Sequence, residues 1–96
     1  MANVNIKNLI KNNSRVLEVK YLSPTNTQGS RVKIVDTYFN EAIIVSWNYE
    51  FNNSLEVALE YLLNKRNLKI KIIGISENYK TKNDYITIKF DSDRIK

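Results

Sequence analysis

FNNSLEVALEYLLNKRN, residues 51–67, decides the fold, because the apolar residues change there from a two-residue to a helical period. One stripe of the predicted helix is apolar and consists of Leu55, Ala58, Leu59 and Leu62. Asn53 and Glu56 have the spacing of a capping box, with Asn in place of the usual Ser or Thr. The pattern therefore predicts a helix over residues 53–66 that buries one side.

Three strands are predicted before this helix, since apolar and polar residues alternate in each. They are RVLEVKYL (residues 15–22), RVKIV (residues 31–35) and IIVSWNY (residues 43–49). The turn-forming stretch SPTNTQGS, residues 23–30, follows the first, and a turn around Asn40 follows the second. This arrangement predicts an antiparallel three-stranded meander over residues 15–49.

Two further strands are predicted after the helix, LKIKIIGI (residues 68–75) and DYITIKF (residues 84–90). They form a hairpin over residues 68–90 with a lysine-rich loop. A short amphipathic helix is predicted over residues 1–13, where apolar residues recur at helical spacing. We expect the last residues, DSDRIK, to be frayed.

The chain is therefore predicted to form one α+β domain over residues 1–96, with the element order α-βββ-α-ββ. A single five-stranded, mainly antiparallel sheet carries one main helix on one face, and the other face meets solvent. Five aromatic residues are expected in the core against the helix, namely Tyr38, Phe39, Trp47, Tyr49 and Phe51. Trp47 has a second interpretation as an interface anchor, because Trp is enriched in binding hot spots.

The face predicted to lie away from the helix carries the unbalanced positive charge of the chain. Six cations occupy it: Lys20, Arg31, Lys33, Lys69, Lys71 and Lys89. They share it with Glu18, so the whole net charge of +5 is predicted to lie there. Flat cationic surfaces bind polyanions, and Tyr85 on the same face offers a stacking surface for a base. The alternative is a solvated face, since exposed strands use lysine to avoid edge pairing.

The 23–30 loop is the second candidate site. It crowds small donors and acceptors around Gly29, namely Thr25, Asn26, Thr27, Gln28 and Ser30. Backbone amides in such a loop can form an anion-binding nest, and hydroxyl and amide side chains commonly contact phosphate or sugar oxygens. The alternative is a mobile hairpin tip built from ordinary turn residues.

The composition excludes most enzyme classes. The chain has no His and no Cys, so neither a nucleophile–His arrangement nor a thiolate metal site exists. Asp91 and Asp93 are interpreted as a solvated end rather than a Mg²⁺ site, and neither glycine belongs to a phosphate-binding loop motif. We therefore predict no catalysis, no metal and no cofactor. The sequence shows no signal peptide and no apolar run of membrane length, so we expect a cytoplasmic protein without membrane contact.

The stretch YLSPTNTQGSRVKI, residues 21–34, resembles the signature of a family of small uncharacterised proteins from bacteriophages, plasmids and integrated mobile elements. The pattern continues at Tyr49, Phe51, Asn52, Asn53, Ala58, Tyr61 and Leu62. The resemblance covers residues 17–90 and implies a mobile-element setting and a role for Arg31. It implies no activity, because the family has no established one. The predicted N-terminal helix and the lysine-rich loop 76–84 depart from the family pattern.

Two functions from different classes remain open. The first is a small basic accessory protein of a phage or mobile element that binds nucleic acid, DNA above all, through the cationic face and the 23–30 loop. The second is a protein-binding inhibitor or adaptor, such as a blocker of a host defence nuclease or a subunit of a larger replication enzyme. The sequence pI of about 9.5 argues against an acidic DNA mimic. Exposed apolar residues on the open face, with Ile44, Ile73 and Ile75 as the candidates, would favour the second function.

Overall fold

Five antiparallel strands form a single sheet in the computed structural model, which describes residues 14–78 and 83–96. The strands are β1 (Ser14–Leu22), β2 (Arg31–Asp36), β3 (Glu41–Ser46), β4 (Ile72–Asn78) and β5 (Asn83–Lys89). Their order across the sheet is β3-β2-β1-β5-β4, and a helix over residues 54–65 packs on one face. This confirms the predicted α+β class with one sheet and a main helix. The helix predicted over residues 1–13 lies outside the described residues.

The core lies between the helix and one face of the sheet. Apolar side chains that are at most 1% exposed come from the strands, the helix and the C-terminal segment: Leu17, Val19, Val32, Ile34, Ile86, Ile88, Val57, Ala58, Leu62 and Ile95. The two-residue alternation predicted the six strand positions of this set. Ala58 and Leu62 were also predicted, whereas Val57 replaces the half-buried Leu55 and Leu59 as the third fully buried helix residue.

The helix begins at the predicted position but with a shifted cap. Asn53 Oδ1 accepts a hydrogen bond from the Glu56 amide at 2.9 Å, as in a capping box. Glu56 Oε1 accepts in return from the amide of Asn52 at 3.3 Å, one residue before the capping residue. The first half, α1 (Ser54–Leu59), is α-helical, and the second half, Glu60–Lys65, is π-helical.

Strand β3 starts and ends earlier than the predicted range 43–49. Asn40 has a φ of 55° and closes the preceding turn, which leaves Glu41 free to start the strand. The last pair of the ladder joins Ser46 to Arg31, the first residue of β2, so pairing stops there. The chain then turns at Asn48, whose side-chain oxygen accepts a hydrogen bond from the Glu50 amide at 3.0 Å.

Strand β4 begins at Ile72 rather than at Leu68, and a bulge at Ile73 interrupts its pairing with β5. Because the bulge adds one residue, Ile72 and Ile75 both lie on the helix side of the sheet. Ile75, which the alternation placed on the open face, is therefore on the opposite face. The residues before β4 have no strand conformation, so the prediction that strand geometry extends over 68–71 is wrong.

The segment 67–71 instead runs beside the C-terminal segment. The carbonyl of Lys69 accepts a hydrogen bond from the Asp93 amide at 2.9 Å, and the Lys69 amide donates to Asp93 Oδ2 at 2.8 Å. The Lys71 amide donates to Ser92 Oγ at 2.9 Å. Asn67 separates this segment from the helix with a φ of 53°, a conformation that Asn tolerates.

The C-terminal residues are part of the fold rather than frayed. Ile95 is fully buried, and its carbonyl accepts a hydrogen bond from Arg66 Nη1 at 2.6 Å. Arg94 Nη2 donates to Glu41 Oε2 at 2.6 Å. This hydrogen bond lowers the pKa of the Glu41 carboxyl below its ordinary value of 4.5.

A buried ion pair joins this segment to the sheet. Arg15 lies on the helix side of β1, and its Nε donates to Asp36 Oδ2 at 2.9 Å, with both side chains at most 1% exposed. The Arg15 guanidinium also donates to the carbonyls of Phe90, of Ser92 at 3.0 Å and of Asp93 at 2.7 Å. Every buried side-chain nitrogen and oxygen in the described part of the chain has such a partner. Burial of this charge is therefore tolerated because it is paired and fully hydrogen-bonded.

Candidate nucleic-acid interface

The open face of the sheet, opposite the helix, carries a compact group of cations on β1 and β2. Lys20 and Lys33 stand directly opposite each other in the ladder, and Arg31 follows in the next pair on the same face, opposite Leu22. Side chains in opposite positions have Cβ atoms about 5 Å apart. We call Lys20, Arg31 and Lys33 the basic corner, because they lie where these two strands meet the 23–30 loop.

Neighbouring acids neutralise the basic corner only in part. Lys20 Nζ lies 3.3 Å from Glu18 Oε1, and both side chains are partly exposed to solvent. Such a surface pair is worth about 0–1 kcal/mol. Arg31 Nε donates to the carbonyl of Gly29 at 3.4 Å, and among residues 14–78 and 83–96 neither Arg31 nor Lys33 forms an ion pair. Two like charges therefore face each other across the strands, which destabilises the sheet unless an anion binds.

The other predicted cations lie away from this corner. Lys89 pairs with Ser14, at the end of β1 far from Lys20. The distance along the strand from Lys20 to this pair is about 20 Å at the usual rise per residue. Lys71 lies just before β4, where its Nζ is 3.4 Å from Asp91 Oδ2, and Lys69 lies in the same non-strand segment. The structure therefore corrects the prediction of one continuous six-cation surface and divides it into a basic corner and a distal group.

Tyr85 lies between these two groups. It occupies the open face of β5, directly opposite Glu18 on β1, and is half-buried. Tyr85 therefore lies on the predicted face, but the charged residue directly opposite it in the ladder is the acidic Glu18 and not a cation.

The 23–30 loop is held in shape by Thr25. The Thr25 hydroxyl accepts hydrogen bonds from the amides of Thr27 at 3.4 Å and Gln28 at 3.1 Å, and the Thr25 amide donates to the carbonyl of Gln28 at 2.7 Å. These two amides are thus already engaged, and they do not form the predicted anion nest. The side chains of Asn26, Thr27 and Gln28 remain exposed for contacts with a ligand.

An open groove of about 400 Å³ lies between this loop and the residues that follow β3. It is lined by Gln28, Gly29, Ser30, Arg31, Trp47 and Tyr49. The Trp47 amide donates to the Ser30 carbonyl at 3.0 Å, and Ser30 Oγ lies 2.8 Å from the Tyr21 hydroxyl. These two bonds fix one wall of the groove against the sheet.

The aromatic side chains at this groove were predicted to lie in the core. Tyr49 is instead 84% exposed, because the turn at Asn48 carries it out of the alternating row of β3. Trp47 is only partly buried and meets Tyr21 edge to face, with 5.6 Å between ring centroids. Asn48, a turn-forming residue directly before Tyr49, is the sequence signal that indicates this exit from the strand.

The remaining acidic residues of the C-terminal segment serve the fold. Asp91 pairs with Lys71 and Asp93 accepts from the Lys69 amide, as described above. Across residues 14–78 and 83–96, no three acidic side chains converge in a way that could hold a metal ion. No helix in these two ranges is long and apolar enough to span a bilayer.

Comparisons with known proteins do not indicate a function for this chain. No family model matches the chain. No curated protein and no solved structure shows significant similarity to it. The resemblance to mobile-element proteins therefore stays a prediction, and the features available for assigning a function are the basic corner, the 23–30 loop and the adjoining groove.

Proposed function

We propose that this protein binds nucleic acid, with DNA as the expected form, as a small accessory protein of a phage or mobile element. The basic corner contacts the phosphate backbone, and the 23–30 loop positions the strand beside it. The observation that carries the proposal is the opposed pair Lys20 and Lys33 with Arg31 beside it. A phosphate backbone supplies the negative charge that relieves their repulsion, and it releases counterions on binding.

The distal group extends the same contact. A nucleic-acid strand that leaves the basic corner along β1 passes Tyr85 and reaches Lys89 after about 20 Å, the length of roughly six nucleotide steps at 3.4 Å each. Lys71 contributes less there, because Asp91 already faces its ammonium group. We therefore expect the basic corner to dominate affinity and the distal group to add length to the binding site.

The test is the salt dependence of binding for two charge-matched variants. Lys20→Gln/Lys33→Gln removes two charges from the basic corner, and Lys65→Gln/Lys96→Gln removes two exposed charges elsewhere. Binding of a fluorescent oligonucleotide is measured by anisotropy between 50 and 300 mM salt. The first variant should lower the slope of log K against log salt by about 1.4–1.8, the value for two lost phosphate contacts, and the second by much less. An equal decrease of this slope in both variants would show that the basic corner has no special role in binding.

A protein-binding function is the second candidate, and one observation favours it. The edge strand β4 exposes Ile72, Ile73 and Ile75, with Ile73 54% exposed. Ile44 is 56% exposed on the opposite edge strand. Ile72 and Ile75 lie on the same side of β4, and exposed apolar surface of this kind marks protein contacts. A partner that the parent chain retains after nuclease treatment and that Ile72→Ser/Ile75→Ser loses would therefore support an adaptor.

A further inference from the structure

The groove beside the basic corner combines a flat aromatic surface, polar edges and an adjacent cation. We propose that it receives one unstacked nucleobase, so that the preferred ligand is single-stranded rather than duplex nucleic acid. This inference rests on the proposed function for its phosphate contact and adds the class of nucleic acid and the place where a base binds.

Tyr49 supplies the stacking surface. The residue is 84% exposed although its side chain is large and mostly apolar, and it lines the groove. Bases stack on exposed aromatic rings in proteins that bind single strands. Trp47 also lines the groove and is held by its backbone bond to Ser30 and its edge contact with Tyr21.

Residues of the 23–30 loop supply hydrogen-bonding groups and space in the groove. Gln28 and Ser30 line it with an amide and a hydroxyl, which can pair with the edges of an unpaired base. Gly29 keeps it open, because an added Cβ there would lie 4.0 Å from the Tyr49 hydroxyl and a longer side chain would extend into the space. The volume of about 400 Å³ falls at the lower end of the range for small-ligand sites.

The phosphate of the same nucleotide has a partner in the basic corner. Arg31 lines the groove and also begins β2, one row of the ladder from the Lys20–Lys33 pair. A base that enters the groove therefore leaves its backbone next to Arg31, with Lys20 and Lys33 two positions further along the open face. The bases of a duplex are stacked and paired inside the helix, so a duplex can use the basic corner but not the groove.

Trp47 is the only tryptophan of the chain, so its fluorescence reports binding at this place. Three probes are titrated at one salt concentration. They are a thymidine oligonucleotide, an oligonucleotide of the same length with one abasic position, and a duplex. Variants are Tyr49→Ala and Gly29→Leu, with Gly74→Leu as the matched glycine control, because no atom lies within 4 Å of a Cβ added at Gly74. Circular dichroism establishes that each variant is folded.

We expect the single strand to change Trp47 fluorescence, and Tyr49→Ala and Gly29→Leu each to weaken single-strand binding on the order of tenfold. Duplex binding should stay within about twofold, and Gly74→Leu should leave both unchanged. If both groove variants bind the single strand like the parent while Lys20→Gln/Lys33→Gln weakens it, the groove inference is wrong and the proposed function stands. Equal weakening on duplex and single strand also overturns the inference. If no oligonucleotide binds the parent chain, both proposals fail.

Discussion

Replacing Arg15 by methionine removes the buried charge that joins β1, β2 and the C-terminal segment. The Asp36 carboxylate is 0% exposed and would keep only the amides of Tyr38 and Phe39, at 3.0 and 3.3 Å on Oδ1. Its Oδ2 would lose its only hydrogen-bond partner among the described residues, and the carbonyls that Arg15 serves would lose their donor. Breaking a buried ion pair on one side costs about 3–5 kcal/mol of unfolding free energy.

The assay is thermal unfolding followed by Trp47 fluorescence. For a domain of this size, 1 kcal/mol corresponds to about 4–8 °C in Tm, so Arg15→Met should lower Tm by more than about 10 °C. Arg94→Met is the control, because Arg94 also pairs with a carboxylate but is exposed. The double variant Arg15→Met/Asp36→Asn should recover part of the loss, since it removes the unpaired charge. A loss no larger than that of the control would refute this account of the core.

Three further outcomes are expected. Lys33→Thr should raise the unfolding free energy by about 0.2–1 kcal/mol in the absence of ligand, because it removes the repulsion with Lys20. The same variant should bind the oligonucleotide more weakly. A variant that is both less stable and weaker in binding would contradict the proposed role. The hydrogen bond from Arg94 lowers the pKa of Glu41, so this pair stabilises the fold fully above pH 4.5 and less as the pH falls through the lowered pKa. Thermal scans from pH 7 to pH 3 should therefore fall less steeply for Arg94→Gln than for the parent. Ile95→Ala should cost about 2–5 kcal/mol in urea unfolding, and a near-neutral result would mean that the end of the chain is frayed after all.

The sequence alone predicted those parts of the fold that depend on local periodicity. Leu17, Val19, Val32 and Ile34 alternate with polar residues, and each is buried as the pattern requires. Arg15 occupies the next position of the same row, yet it is charged, and its partner Asp36 is 21 residues away. Spacing cannot reveal a pairing over such a distance, because it depends on which strands become neighbours.

The part of the candidate site that follows from local alternation was predicted, and the part that depends on which strands are neighbours was not. Lys20, Arg31 and Lys33 were expected on one face, and the β1–β2 ladder brings them together. Lys69 and Lys71 were predicted within a strand, but β4 begins after them. Their amides bind Asp93 and Ser92, and the Lys71 carbonyl accepts a hydrogen bond from the Lys89 amide of β5 at 2.8 Å. The groove was missed entirely, because it needs both the end of β3 and the 23–30 loop, and only the ladder shows that these meet.

The position of β1 in the sheet has a consequence for synthesis on the ribosome. β1 pairs with β2 on one side, but its other neighbour, β5, is made much later, and the carbonyls that Arg15 binds are 77 and 78 residues away. Until the final hairpin and the residues after it are made, the nascent meander therefore presents an unpaired strand edge, and Arg15 has Asp36 but not its carbonyl partners. Unpaired edges of this kind invite association with other chains, so the sheet is expected to close only after β5 has emerged and to benefit from a chaperone that shields β1 until then.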